Sequence, residues 1–242
     1  FMSKLQVKSA GDNIDADNAS WSFSGNVAEK FSDHVSKSVP FYQEGHELVC
    51  KLSDFFLKDD SICYELGVST ASLLNKLSNR HPNKNVKFVG IDIEPSMIKQ
   101  AKKEISNTKN IKLIADDINL YPYEKSDFIV SYYTIQFIPL HLRQELINKI
   151  YESLNWGGAF IMFEKVRASD ARFQDYISAM YTDYKLEQNY TPDEIIVKGR
   201  SLKGVLEPFS TQGNLDLLKR AGFEDMMSVM KWNCFEGFLA IK

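Results

Sequence analysis

Hydrophobic positions along this chain change period several times, and each change predicts an element. Val27, Phe31 and Val35 recur four apart, as on one face of an amphipathic helix that Pro40 ends. Leu48, Leu52 and Phe56 give the buried stripe of a second helix. Short apolar runs then predict strands at 61–66, 86–91 and 111–115. Between them lie helices carrying Leu73, Leu74 and Leu77, then Met97, Ile98 and Ala101. Pro95 stands where the first turn of a helix needs no N–H. A fourth strand is expected at 128–132. A helix at 142–154 follows, with Asn155-Trp156-Gly157-Gly158 as its stop, and a fifth strand at 159–163.

Apolar strands alternating with helices predict an α/β fold, a doubly wound, mostly parallel sheet covered on both faces. Residues 166–209 break the pattern; they read as helical but rich in tyrosine and charge (Tyr176, Tyr181, Tyr184, Tyr190), an insertion that forms a lid or a dimer surface. A helix at 215–220 ends at Ala221-Gly222-Phe223. Runs near 228–232 and 235–241 add two strands, one of them antiparallel, for seven in all. Residues 1–20 are polar and read as a mobile tail, leaving one domain over 21–242.

Composition narrows the class. Apolar residues make up 44% and charged residues 25% of the 242, ordinary for a globular chain. A net charge of −3 with interspersed lysines offers no basic stripe for direct nucleic-acid binding. No long apolar run predicts a membrane span or a signal peptide, so a cytoplasmic protein is expected. Cys50, Cys63 and Cys234 have neither metal-ligand nor disulfide spacing, and no metal is expected.

In a doubly wound sheet the ligand sits beyond the carboxyl ends of the strands. The first strand runs into Glu65-Leu66-Gly67-Val68-Ser69. A pyrophosphate cradle needs several glycines at this turn, whereas Ser69 and Ser72 stand where the others would fall. S-adenosylmethionine (SAM), which has no phosphate, suits a single glycine better. Asp92, twenty-five residues beyond Gly67, ends the second strand and can accept two ribose hydroxyls; its plain alternative is a helix cap ahead of Pro95. Asp117 ends the third strand, where it could take an adenine amino group with Ile118 on the ring, or form only a solvated acidic turn. A glycine and two acids at successive strand ends resemble the class I SAM-dependent methyltransferases.

Further segments narrow the resemblance. They are Ser38-Val39-Pro40-Phe41-Tyr42, Thr134-Ile135-Gln136-Phe137, Lys149-Ile150-Tyr151 through Leu154-Asn155 to Gly157-Gly158-Ala159, and Glu164-Lys165. From Trp21 to the C-terminus the chain resembles the carboxy-S-adenosyl-L-methionine (carboxy-SAM) synthases of tRNA wobble-uridine modification. That resemblance implies a homodimer and SAM or carboxy-SAM as ligand, with Tyr42, Gly67, Ser69, Asp92, Asp117 and Ile118 as contacts. The chain departs from the family at Val68 (Cys there), Ile93 (Asn) and Tyr132 (Asn). The family's carboxylate-binding arginine falls on Gly199, with Arg200 one residue later.

The predicted cofactor set is therefore Tyr42, Gly67, Val68, Ser69, Asp92, Ile93, Asp117, Ile118 and Tyr132. Arg200, Tyr132 and His141 are the candidate catalytic residues, the last as a base. The leading expectation is a methyltransferase acting on a small molecule, built on this scaffold. One alternative is a carboxy-SAM synthase using prephenate, whose reaction needs a cation to hold a carboxylate. The other is a SAM-binding dimeric module without catalysis.

Overall fold

The computed structural model describes residues 9–242 except 13, 25, 26 and 106–108. Two helices lead in, α1 (Val27–Ser38) and α2 (Tyr42–Ser53). The alternating part follows as β1 (Ile62–Leu66), α3 (Ser72–Arg80), β2 (Lys87–Asp92), α4 (Pro95–Glu104), β3 (Ile111–Ala115), β4 (Ser126–Tyr132), α5 (Leu140–Ser153) and β5 (Leu154–Lys165). The insertion holds α6 (Ala171–Glu187) and α7 (Pro192–Ser201). The chain closes with α8 (Thr211–Ala221), β6 (Asp225–Trp232) and β7 (Phe235–Ile241).

These strands form one sheet in the order β3-β2-β1-β4-β5-β7-β6. The first five are mutually parallel, and β7 runs antiparallel to both β5 and β6, as the C-terminal hairpin predicts. Period-two alternation sends Cys63, Phe88, Phe128 and Ile161 to one core with α2 and α3. Tyr64, Val89, Ile129 and Phe160 face the other, under α5 and α8. The strand order reverses between β1 and β4, which opens a crevice at their carboxyl ends.

Several expectations change. The second helix buries Gly45, His46, Val49, Cys50 and Ser53, while Leu48, Leu52 and Phe56 are only partly buried beside them. Asn155 to Gly158 do not stop α5. They belong to β5, which pairs Leu154 with Ser126, bulges and resumes at Ala159. Arg143, which reads as a solvated helix position, is buried and donates to the carbonyls of Ile138, Glu207 and Gln136.

The expected tail is docked where it is described. Ala10, Ile14 and Trp21 are buried with Val27, Met97 and Val197, and the N–H groups of Ala19 and Trp21 donate to the carbonyls of Arg200 and Ser201. Polar composition misleads here because Asp12 is paired, to His34, Lys37 and Tyr190. Residues 1–8 and 13 lie outside the described set. No described helix is long and apolar enough to cross a membrane.

Candidate functional site

Backbone strain gathers at the crevice. Gly67 has φ +69°, and a Cβ there would lie 2.3 Å from Thr134 Oγ1, so only glycine lets the β1 and β4 loops approach this closely. Four other residues are also left-handed: Phe41, Ser69, Ala71 and Tyr133, at the start of α2 and the ends of β1 and β4. Non-glycine residues hold such conformations only where the surroundings over-determine them, often at functional sites. The turn crosses to β2, because Gly67 and Val68 both donate to Ile91 O (2.8 and 3.0 Å).

Asp92 then locks the turn. Its Oδ2 accepts the Ser69 N–H (2.8 Å) and its Oδ1 the Glu94 N–H (2.9 Å), so this one carboxylate joins the β1 loop to the entry of α4. Burial, with nearby Glu94, raises its pKa despite those two donors. At the end of β3, Asp117 Oδ1 accepts the backbone and side-chain N–H of Asn119 (both 2.8 Å), beside buried Ile118. One buried acceptor in this lining lacks a donor, Asn119 Oδ1. A ligand carrying amino and hydroxyl donors suits this end, and a phosphate ester, offering only acceptors, does not.

The middle of the site is aromatic. Tyr42, Tyr132 and Tyr133 pack with ring centroids 4.9 to 6.5 Å apart, and Tyr132 donates to Tyr42 O (2.8 Å). Gly45 makes room, since a Cβ there would lie 2.1 Å from the Tyr132 hydroxyl. Such a box can face a sulfonium through its ring quadrupoles.

All this borders one cavity of about 970 Å³, whose far wall is basic. Lys165 at the end of β5, Lys185 on α6 and Lys198 on α7 line it, with Arg167 and Lys203 beside them. Lys165 Nζ lies 4.2 Å and Lys185 Nζ 4.9 Å from the centre of the Tyr181 ring. Lys198 Nζ is 3.2 Å from His34 Nε2, whose Nδ1 is 2.7 Å from Asp12 Oδ2. Burial, then repulsion from Lys165, pulls Lys185 down to about 8; burial, then Lys185, takes Lys198 to about 5. Burial also works against ionisation of Asp12, but hydrogen bonds from Lys37, His34 and Tyr190 outweigh it and set the pKa at about 2.

Of the residues expected from sequence, Tyr42, Gly67, Ser69, Asp92, Ile93, Asp117, Ile118 and Tyr132 line this cavity. Val68 does not; its side chain turns into the core against Gly90. His141 is exposed and outside the lining. So is Arg200: Lys198 and Gly199 line the cavity, and the next residue is turned about 100° further round the helix. A Cβ on Gly199 would meet nothing within 4 Å. Sequence reading gave these three lysines no role, although Lys165 stands in the Glu164-Lys165 segment that carries part of the resemblance.

Residues 64–158 match a family model described as a methyltransferase domain. Carboxy-SAM synthase of Staphylococcus epidermidis is 37% identical over 92% of this chain and 97% of its own length. That of Campylobacter jejuni is 38% identical over 91% and 93%. Among solved structures, human N-acetylserotonin methyltransferase in complex with SAM superposes with a TM-score of 0.55 (17% identity, 92% of this chain and 60% of that one). The pyocyanin biosynthetic protein PhzM gives 0.64 (15% identity, 90% and 58%). These two establish the fold alone. With near full-length relatives above 30% identity, the chain belongs to the carboxy-S-adenosyl-L-methionine synthase family, on the class I SAM-dependent methyltransferase fold.

Proposed function

We propose that this chain converts SAM to carboxy-SAM with a small carboxylic acid as donor, the reaction for which its relatives are named. Asp92 would hold the ribose, Asp117 and Ile118 the adenine, and the tyrosine box the sulfonium end. SAM supplies the sulfonium methyl group, and the protein's part is to bind, align and exclude water. One observation carries the choice: the wall opposite the acids is lined by lysines, so the second ligand is an anion.

Mass spectrometry of a reaction containing SAM and prephenate is the test. A product heavier than SAM by one carbon dioxide is expected, and its absence with SAM bound contradicts the reading. A second reading, methyl transfer to a small carboxylate, is favoured by Gly199 in the arginine's place and by the exposed Arg200. S-adenosylhomocysteine and a methylated acid would then appear instead. We further propose a cytoplasmic homodimer that does not contact nucleic acid directly; light scattering at micromolar protein tests the dimer.

A further inference from the structure

Consecutive residues of a strand point to opposite faces, so two neighbouring tyrosines do not ordinarily share one pocket. Tyr132 and Tyr133 do share one. Strand β4 ends at Tyr132, and Tyr133 takes a left-handed backbone (φ +60°) that brings its ring centroid 4.9 Å from that of Tyr132. A non-glycine residue holds that conformation only where its surroundings impose it. Here the Tyr133 N–H donates to Phe163 O (2.8 Å), and its carbonyl accepts from Gln136 Nε2 (3.3 Å). Gln136 Oε1 in turn accepts the Lys165 N–H (2.9 Å), so Tyr133 is clamped to the end of β5.

The three hydroxyls of the box differ. That of Tyr132 donates to Tyr42 O (2.8 Å). Among the described residues those of Tyr42 and Tyr133 have no protein partner, and neither is sealed from the cavity that both residues line. Surroundings separate these two. Tyr42 packs on His46 of its own helix and borders Gly67 and Ser69. The Tyr133 ring lies 5.8 Å from that of Phe235, which Lys165 Nζ approaches to 5.9 Å. Tyr133 therefore stands where the adenosyl end meets the basic end. Burial, then Tyr42 and Glu164, raises the pKa of its phenol, so the hydroxyl keeps its proton and can donate.

We propose that Tyr133 is a further catalytic residue, whose hydroxyl donates to the carboxylate as it is built on the sulfonium methyl carbon. The assignment rests on the reading that this cavity converts SAM to carboxy-SAM. In that conversion the electron pair of a methyl C–H bond becomes the new C–C bond to carbon dioxide, and one C=O pair moves onto oxygen. The donor acid gives up that carbon dioxide, and its remainder, left with the pair that bound it, takes up the methyl proton. Negative charge gathers on oxygen beside the methyl carbon, where a fixed O–H stabilises it and has nothing comparable to meet in SAM. No proton leaves Tyr133.

Tyr133→Phe removes one oxygen and keeps the ring. Calorimetric titration of the full chain with SAM, S-adenosylhomocysteine and carboxy-SAM reads the effect without turnover. Affinity of the variant for carboxy-SAM should fall about tenfold, with SAM and S-adenosylhomocysteine within about twofold of wild type, which also shows that it is folded. In steady-state assays kcat should fall about tenfold at unchanged KM for SAM. Equal losses for all three ligands would overturn the assignment, since an oxygen with only a structural role gives that result. So would unchanged affinity for carboxy-SAM, because the hydroxyl then touches no carboxylate. Wild-type protein that binds SAM but neither binds nor forms carboxy-SAM would sink the functional reading itself, and this assignment with it.

Discussion

At the β2–β3 end of the cavity every charged side chain is acidic, and Asp92 and Asp117 are held by backbone N–H donors. At the β5 end every charged side chain is basic, and its neighbours are aromatic rings and an imidazole. Asp92 and Lys165 end strands three places apart in the sheet, roughly 14 Å at ~4.8 Å per strand. Backbone N–H groups bond both acids without any ligand. The lysines have no carboxylate partner among the described residues, and in the proposed function an anionic second ligand meets them. Between the two lie Gly67 and the tyrosine box, where the proposed function puts the reacting group. One end is finished by the fold and the other by the ligand.

The largest effect should come from the acid end. Asp92→Ala removes two hydrogen bonds and the proposed ribose acceptor, so affinity for S-adenosylhomocysteine should fall by about 100-fold or more, while affinity for benzylmalonate, a dicarboxylate probe, stays within about twofold. Parallel losses of both would show that the two ends are not independent.

Lys185→Met should stabilise the protein at pH 7 by about 1–3 kcal/mol in chemical denaturation. The sign follows from a pKa lowered from 10.5 to about 8. The unfolded chain holds the proton more tightly, so wild-type stability falls as pH drops from 10.5 toward 8 and stays penalised below. The gain from the variant should therefore shrink at pH 10. A destabilised Lys185→Met would mean that the ammonium is already paired.

Gly199→Arg adds a guanidinium where a Cβ meets nothing within 4 Å. Affinity for carboxy-SAM relative to SAM should rise by about tenfold, measured by competition. No change would place that position away from the carboxylate. Arg200→Ala and His141→Ala, both exposed, should alter turnover by less than about twofold in steady-state assays. A large loss at either would move the chemistry outside the cavity.

The acid end was legible and the basic end was not. Apolar runs marked the strands, and a carboxylate after a strand is conspicuous, so Asp92 and Asp117 could be placed from spacing alone. A lysine on a charged helix looks solvated in sequence. On α6 and α7 the inward face covers a cavity rather than a packed core, so Lys185 and Lys198 follow no apolar stripe. The same blindness hid Arg143, whose three partners are backbone carbonyls, one of them on distant Glu207, and the docked segment around Asp12. Arg200 attracted attention by its charge, while the residue facing the cavity, Gly199, has no side chain to notice.

A crystal structure of the chain with S-adenosylhomocysteine tests the central division most directly. The account predicts the ribose hydroxyls on Asp92, the adenine against Ile118 and the sulfur beside the tyrosine box, with the lysine wall free of nucleoside. An adenosyl group lying against Lys165 and Lys185, with Asp92 untouched, would contradict it.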